Sequence, residues 1–169
     1  MHRLPQNTAY SFLMGILCFL LLLSAVPSFS QDVLSEAMTL AWSPNGEKLA
    51  VGYDDGTVEI RNLQANINTT IGQSAVPIIS MAWNPTNIDQ LAVLTITGVL
   101  RVYDVQSGNS LYRDELDANS PVYISWSPDG TRLATADNDI AGQYQPPGAV
   151  TILDAQNGQI IDRFVEHQY

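Results

Sequence analysis

Three tryptophans recur at nearly equal spacing and mark three copies of one unit. Trp42 and Trp83 are 41 residues apart, and Trp83 and Trp126 are 43 residues apart. Each tryptophan precedes a Ser-Pro or Asn-Pro pair, and an Asn-Gly or Asp-Gly turn follows in the first and third copies. A repeat of this length is long enough for four short strands but cannot bury a hydrophobic face alone. The chain is therefore expected to stack similar units on one another.

Each copy divides into short alternating segments separated by turn residues. Proline after the tryptophan removes a backbone donor and ends a first strand there, and Asn-Gly and Asp-Gly tolerate the positive φ of tight turns. The predicted second, third and fourth strands are 49–53, 57–62 and 68–72, then 91–96, 99–104 and 110–116, then 133–137, 149–154 and 159–165. This pattern predicts an all-β fold of three four-stranded antiparallel blades of the β-propeller type, at residues 31–75, 76–118 and 119–169.

The copies resemble a known repeat family. Residues 43–63, SPNGEKLAVGYDDGTVEIRNL, are similar to the WD-repeat β-propeller family, and residues 103–108 and 127–139 fit the same pattern. The WSPDG segment at residues 126–130 also resembles periplasmic propellers of the Tol system. The stretch Asp55-Gly56-Thr57-Val58 favours the WD-repeat assignment.

The copies depart from this family at its most characteristic positions. The Trp-Asp pair that ends the third strand is replaced by Arg61-Asn62, Tyr103-Asp104 and Leu153-Asp154, and the preceding Gly-His pair is missing. The family's histidine–aspartate network is therefore not expected. The turn aspartate Asp55 with Gly56, and Gly98 in the second copy, are retained as structural positions. Trp42, Trp83 and Trp126 are interpreted as inter-blade core, with a ligand-stacking ladder as the alternative.

Three blades are too few to close a ring, because propellers close with about 4–8 blades. Three explanations stay open: the chain is part of a longer protein, two chains pair to make six blades, or the blades form an open array. Open blades leave apolar sheet faces in water, which favours association. Self-association through these faces is therefore expected.

The N-terminal residues 1–30 have the layout of a secretory signal. Arg3 stands without an acidic neighbour, an apolar run fills residues 12–23, and small residues up to Ser30 predict cleavage before Gln31. The alternative is an uncleaved anchor at residues 9–26, which is close to the minimum for crossing a bilayer. The sequence thus predicts a secreted or extracytoplasmic protein, in the periplasm or at the cell surface, or one anchored by this leader.

The third copy carries an eight-residue insertion, IAGQYQPP, at residues 140–147. Insertions in repeat proteins map to loops on one face, often the binding face. Asn138, Gln143, Tyr144 and Gln145 are therefore the candidate partner-binding residues. The alternative is a neutral surface insertion, which loops tolerate well.

The charge and the rare residue types exclude several functions. With 17 acidic and 7 basic residues, the net charge is −10, which argues against nucleic-acid binding because phosphate neutralisation needs clustered Lys and Arg. Cys18 is the single cysteine, and His2 and His167 are the two histidines, so Cys-based and multi-histidine metal sites are not expected. Phosphate-binding and nucleophile-elbow motifs are absent. No catalytic, cofactor-binding or metal residue is predicted.

These features together predict a non-enzymatic propeller segment, secreted or membrane-facing, that binds protein partners through rigidly presented loops. One alternative is an extracytoplasmic module that binds a small ligand or a carbohydrate with Tyr53, Tyr103 and Tyr144. Another is a fragment of a larger propeller protein whose active site lies in further blades.

Overall fold

The computed structural model describes residues 34–116, 121–137 and 149–165. Those from Ser35 onwards belong to one compact unit, Ser35–Tyr169. They form twelve strands in three sheets. The first sheet has β1 (Ala37–Trp42), β2 (Lys48–Tyr53), β3 (Thr57–Asn62) and β4 (Ile67–Gln73), the second has β5 (Ile78–Trp83), β6 (Gln90–Thr95), β7 (Val99–Asp104) and β8 (Ser110–Glu115), and the third has β9 (Pro121–Trp126), β10 (Arg132–Asp137), β11 (Ala149–Asp154) and β12 (Ile160–Val165).

Within each sheet the strands pair in chain order, and every pairing is antiparallel. Each copy of the repeat is therefore one four-stranded meander with its own fourth strand. No helix occurs in the ranges described. The predicted all-β fold with three four-stranded blades is confirmed.

The second strand of each copy begins one residue before its predicted start. Lys48 pairs with Asn62, Gln90 with Asp104, and Arg132 with Asp154, so these residues close the ladder next to the turn. Hydrophobic patterning detects buried positions, and these three polar residues lie at the strand ends, where patterning carries little signal.

Neighbouring sheets pack through their first strands. β1 lies beside β5, and β5 lies beside β9, while β2 and β6 also contact the first strand of the following sheet. The fourth strands β4, β8 and β12 form the opposite edges of their sheets. This is the arrangement of adjacent propeller blades, in which innermost strands gather around an axis.

The central sheet is buried on both faces, and β6 shows this most clearly. Leu91 and Val93 belong to a core cluster shared with the first sheet, whereas Ala92 and Leu94 belong to a cluster shared with the third. All four side chains are at most 2% exposed. Side chains alternate across a strand, so a continuous apolar run such as LAVL fits a sheet with neighbours on both sides.

The predicted leader, with its cleavage site and its alternative anchor at residues 9–26, lies outside the described residues. So does the predicted insertion at residues 140–147. Among the residues described, no helix has the length and hydropathy needed to cross a bilayer. The blade boundaries 31–75, 76–118 and 119–169 stay predictions.

Candidate interaction surfaces

Trp83 and Trp126 are each anchored on the preceding sheet. The Trp83 indole donates its Nε1–H to the carbonyl oxygen of Ala41, with an N···O distance of 2.9 Å. The Trp126 indole donates to the carbonyl oxygen of Ala82 at 2.8 Å. Trp83 is 6% exposed and Trp126 is 9% exposed. Each ring thus fills an inter-sheet core while its polar edge is satisfied, as buried tryptophans require.

Trp42 corrects the interpretation that all three tryptophans form inter-blade core. Its side chain is 58% exposed. Trp83 and Trp126 point towards the sheet that precedes their own. Trp42 occupies the equivalent position on β1, and no sheet precedes β1 within the described residues. Trp42 therefore carries the same side chain as its two counterparts without the surface that buries them.

An exposed apolar side chain lies next to Trp42 on the same side of β1. Leu40, which shares the strand face of Trp42 by alternation, is 61% exposed. Met38 is also exposed, at 52%, but it lies at a register irregularity between Ala37 and Thr39, so alternation does not assign it to this face. We call Leu40 and Trp42 the leading face. A surface of this kind on a soluble protein indicates an interaction site.

The third sheet has an open face at the other end of the stack. Ile124, Trp126, Leu133 and Leu153 turn towards the second sheet, so the residues that alternate with them turn away. Tyr123, which precedes Ile124, is 70% exposed. Phe164, which pairs with Val150 on the outward side of β11, is 42% exposed.

A groove of about 450 Å³ borders this open side of the third sheet. Its lining includes Ala134, Ile152, Asp162 and Phe164. We call these four residues with Ser125 the trailing face.

A third surface lies at one end of the blades, where the second and third strands connect. Asp54, Asp55, Ile96 and Thr97 lie in the β2–β3 and β6–β7 turns, and we call them the turn surface. Asp55 accepts a hydrogen bond from the Thr57 amide at 2.9 Å and from the Ser35 hydroxyl at 2.6 Å. The hydrogen bond from Ser35 and that from Thr57 lower the pKa of Asp55. This carboxylate thus stays charged while it fixes the turn.

Glycines complete both turns of this surface. Gly56 and Gly98 each have φ of +83°, and their amides donate to the carbonyl oxygens of Tyr53 and Thr95 at 3.2 and 3.0 Å. Ile96 lies between Thr95 and Gly98, whose backbone groups close the β6–β7 turn, and its side chain is 53% exposed. The turn surface therefore presents an apolar side chain and carboxylates on a rigid backbone.

The two described tyrosines of the alternative ligand site lie in different environments. The Tyr53 hydroxyl donates to Glu59 at 2.9 Å and accepts from Arg61 at 2.9 Å, and partial burial followed by the Glu59 hydrogen bond raises the pKa of Tyr53. Tyr103 is buried between the first two sheets, where a Cβ at Gly72 would lie 2.6 Å from its hydroxyl. The structure does not bring these two tyrosines to one accessible surface. Tyr144 lies outside the described residues, as do Asn138, Gln143 and Gln145.

Sequence reasoning missed one recurring structural role. The residue that ends each third strand caps the turn that follows: Asn62 accepts from the Ala65 amide at 2.9 Å, Asp104 from the Ser107 amide at 2.7 Å, and Asp154 from the Gln156 amide at 2.8 Å. An Asx residue four positions before Gly108 or Gly158 was the available signal. Asn62, Asp104 and Asp154 therefore stabilise the turn after the third strand, although the histidine that pairs with this aspartate in the WD-repeat family is missing from the sequence.

Three stacked meanders that meet through their first strands define a segment of a β-propeller. A chain in a solved structure titled "Crystal Structure of Mitotic Checkpoint Complex" superimposes with a TM-score of 0.68, covering 81% of this chain and 39% of that chain at 21% identity. At this identity the similarity shows the fold alone.

Sequence comparison identifies the family. Residues 25–86 match the family described as "Anaphase-promoting complex subunit 4 WD40 domain". THO complex subunit 3 of Arabidopsis thaliana is 26% identical over 74% of this chain and 38% of its own length. WD repeat-containing protein 26 homolog of the same plant is 30% identical over 68% of this chain and 20% of its own length. COMPASS component SWD3 of Saccharomyces cerevisiae is 27% identical over 72% of this chain and 36% of its own length. The chain belongs to the WD-repeat β-propeller family, and it spans less than two thirds of each of these relatives.

These relatives also correct the predicted location. The THO complex subunit and the COMPASS component are intracellular proteins, and they point to the cytoplasm or the nucleus. The prediction of a secreted or extracytoplasmic protein, with its membrane-anchored alternative, is wrong. That prediction was based on the apolar run in residues 1–30, whereas the similarity to these relatives extends over most of the chain.

Proposed function

We propose that this chain is a non-enzymatic scaffold that binds a protein partner through the turn surface and the neighbouring loop. WD-repeat proteins are in general scaffolds for protein–protein contacts, and two of the relatives are named as parts of assemblies, the THO complex and COMPASS. The observation that carries the proposal is the turn surface, where one fixed backbone turn presents Ile96, which is 53% exposed, and the equivalent turn of the first blade presents the carboxylates of Asp54 and Asp55.

The proposal includes the predicted insertion because of its place in the chain. Residues 138–148 connect β10 to β11, which is the connection equivalent to the β2–β3 and β6–β7 turns. Asn138, Gln143, Tyr144 and Gln145 would add an aromatic ring and amide groups, and aromatic residues are enriched in interface cores. The polar groups of the turn surface already serve to hold the turns, which suits a binding role rather than a chemical one.

Two exposed aliphatic residues at opposite ends of the blades provide a matched test. Ile96 lies in the turn surface, and Leu63, which is 51% exposed, follows β3 at the other end. We would capture proteins on the tagged full chain and quantify them by mass spectrometry for the unchanged chain, Ile96→Asp and Leu63→Asp. Circular dichroism would verify that both variants keep their strands.

We expect a saturably bound partner that Leu63→Asp retains and Ile96→Asp loses by at least about tenfold, since truncation of an interface anchor costs about 2 kcal/mol or more. Loss with Leu63→Asp and retention with Ile96→Asp would place the partner at the other end. The absence of any saturable partner would overturn the scaffold role itself.

A further inference from the structure

The leading and trailing faces are the two halves of a contact that the molecule already makes twice. At each internal contact, a tryptophan of one sheet donates to a carbonyl of the sheet before it. Among the described residues, the Trp42 indole has no acceptor on a preceding sheet, and the third sheet receives no tryptophan from a following one. The described chain therefore carries one unmatched half at each end.

The receptor rows can be compared residue by residue through the strand register. Trp83 donates to Ala41, which pairs with Ala50, which in turn pairs with Ile60. Small side chains next to the carbonyl leave space for the indole, and the aliphatic side chain gives the ring a packing surface.

The second receptor row repeats this chemistry, and the third sheet holds an open version of it. Trp126 donates to Ala82, and the row continues through Ala92 and Val102. The corresponding row of the third sheet is Ser125, Ala134 and Ile152. Ala134 and Ile152 line the 450 Å³ groove.

We propose that a second copy of this chain covers both faces, with Trp42 of each copy in the groove of the other and its indole N–H donating to the Ser125 carbonyl oxygen. Two copies make this contact twice, and the twelve described strands of each copy give six blades together. Six falls within the roughly 4–8 blades at which propellers close, whereas three copies would give nine. The proposed contact between copies has the same kind of donor, acceptor and receptor row as the two contacts between neighbouring sheets within one chain.

The sheets are suited to this closure because each is already complete. Every blade has its own fourth strand, so no strand has to be exchanged between chains. Association then requires only that two preformed sheet faces meet, which avoids the cost of ordering a segment on binding. This self-association is independent of the partner proposed for the turn surface.

Sedimentation velocity of the full chain tests the contact with two variants and a control. Trp42→Ala removes the indole, and Ala134→Glu fills the groove and adds a carboxylate. Ile67→Ala is the control, because Ile67 is 57% exposed on the outer strand β4, away from both faces. All forms carry the same residues 1–33, so any contribution of that segment to association is common to them.

We expect the unchanged chain and Ile67→Ala to form a species of two chains, and Trp42→Ala and Ala134→Glu each to weaken it at least about 30-fold. An equimolar mixture of the last two variants should regain a two-chain species, since the intact Trp42 of one meets the intact groove of the other. Apolar aggregation would not show this complementation. A monomeric unchanged chain, association unaffected by Trp42→Ala, or no complementation would each overturn the proposal.

Discussion

Two buried threonines differ in how their hydroxyl groups are satisfied. Thr135 is 2% exposed, and its Oγ1 has no hydrogen-bond partner among the described residues. Thr95 is 3% exposed, and its Oγ1 accepts from the Val99 amide at 3.0 Å. The same substitution should therefore act in opposite directions at these positions.

We predict that Thr135→Val raises the free energy of unfolding by about 1 kcal/mol, because an unpaired buried hydroxyl costs about 1–3 kcal/mol. Thr95→Val should lower it by a similar amount, since the Val99 amide then loses its partner. Urea unfolding midpoints at unchanged slope would measure both. Destabilisation by Thr135→Val would mean that the hydroxyl has a partner outside the described residues.

Asp129 shows how a turn controls a charge. Its Oδ1 accepts from the Ser127 hydroxyl at 2.5 Å and from the Thr131 amide at 3.0 Å, and these bonds, led by Ser127, lower the pKa of Asp129 to about 2. Because this folded-state pKa lies below the ordinary value of about 3.9, the bonds stabilise the fold above about pH 4. That contribution is lost as the pH falls through about 2.

Ser127→Ala should accordingly raise the pKa of Asp129 towards its ordinary value. Carboxyl carbon shifts followed by NMR from pH 1.5 to 6 would give the midpoint. Asp104 serves as the internal control, since its pKa is lowered by the hydrogen bonds from Ser107 and should not change. An unaltered Asp129 midpoint would assign the shift to the Thr131 bonds instead.

At the scale of elements, the repeat spacing correctly predicted the three sheets, but it did not predict which of the three tryptophans are buried. The Trp-to-Trp distances and the turn residues sufficed to locate each meander, because these signals are local. Whether a tryptophan is buried depends on which neighbouring sheet it meets, and three copies with the same residue look identical in sequence. Trp42 and Trp126 both belong to outer blades, yet only Trp126 has a sheet on its receptor side.

The tryptophans should therefore differ in their contributions to stability. We predict losses of about 3–5 kcal/mol for Trp83→Ala and Trp126→Ala, as for buried aromatic core residues, and well under 1 kcal/mol for Trp42→Ala in the monomer. Denaturant unfolding at low protein concentration would give the three values. A large loss at Trp42 under those conditions would show that another part of the chain covers it.

Two glycines in equivalent turns separate backbone strain from contact between blades. Gly46 and Gly130 have φ of +72° and +69°. A Cβ at Gly46 would meet nothing within 4 Å, whereas one at Gly130 would overlap side-chain oxygens of Asn84 and Thr86 in the neighbouring blade. Asn84 also donates to the Gly130 carbonyl at 3.2 Å.

Gly46→Ala should cost only the left-handed strain, about 1–2 kcal/mol, while Gly130→Ala should cost clearly more because the blade interface must also shift. Thermal unfolding of both variants would compare them, and near-ultraviolet circular dichroism of Trp126 would report the displaced interface. Equal losses would show that the third blade can move away from Asn84 without penalty.

For the molecule as a whole, the sequence predicted three blades and open faces, but it could not show that the two faces match. That match depends on pairing register, which places Ser125, Ala134 and Ile152 in one row. It also depends on the direction in which each tryptophan points. Neither is visible in residue spacing, because a shift of one residue would turn every side chain to the other face. Of the turn surface and its turns, the sequence analysis identified only Asp55, Gly56 and Gly98.

Charge and apolar surface oppose each other when two copies meet. Each chain carries a net charge of −10, so association brings like charges together, whereas Trp42 and the groove favour contact. Salt at about 0.1–0.15 M screens charges beyond about 8–10 Å. We therefore predict that the dissociation constant of the two-chain species falls by several-fold between about 0.02 and 0.3 M NaCl. Sedimentation equilibrium at pH 8 would measure it, with Ala134→Glu as the control that stays monomeric throughout. A dissociation constant that rises with salt would mean that ion pairs, rather than the indole and its groove, hold the two copies together.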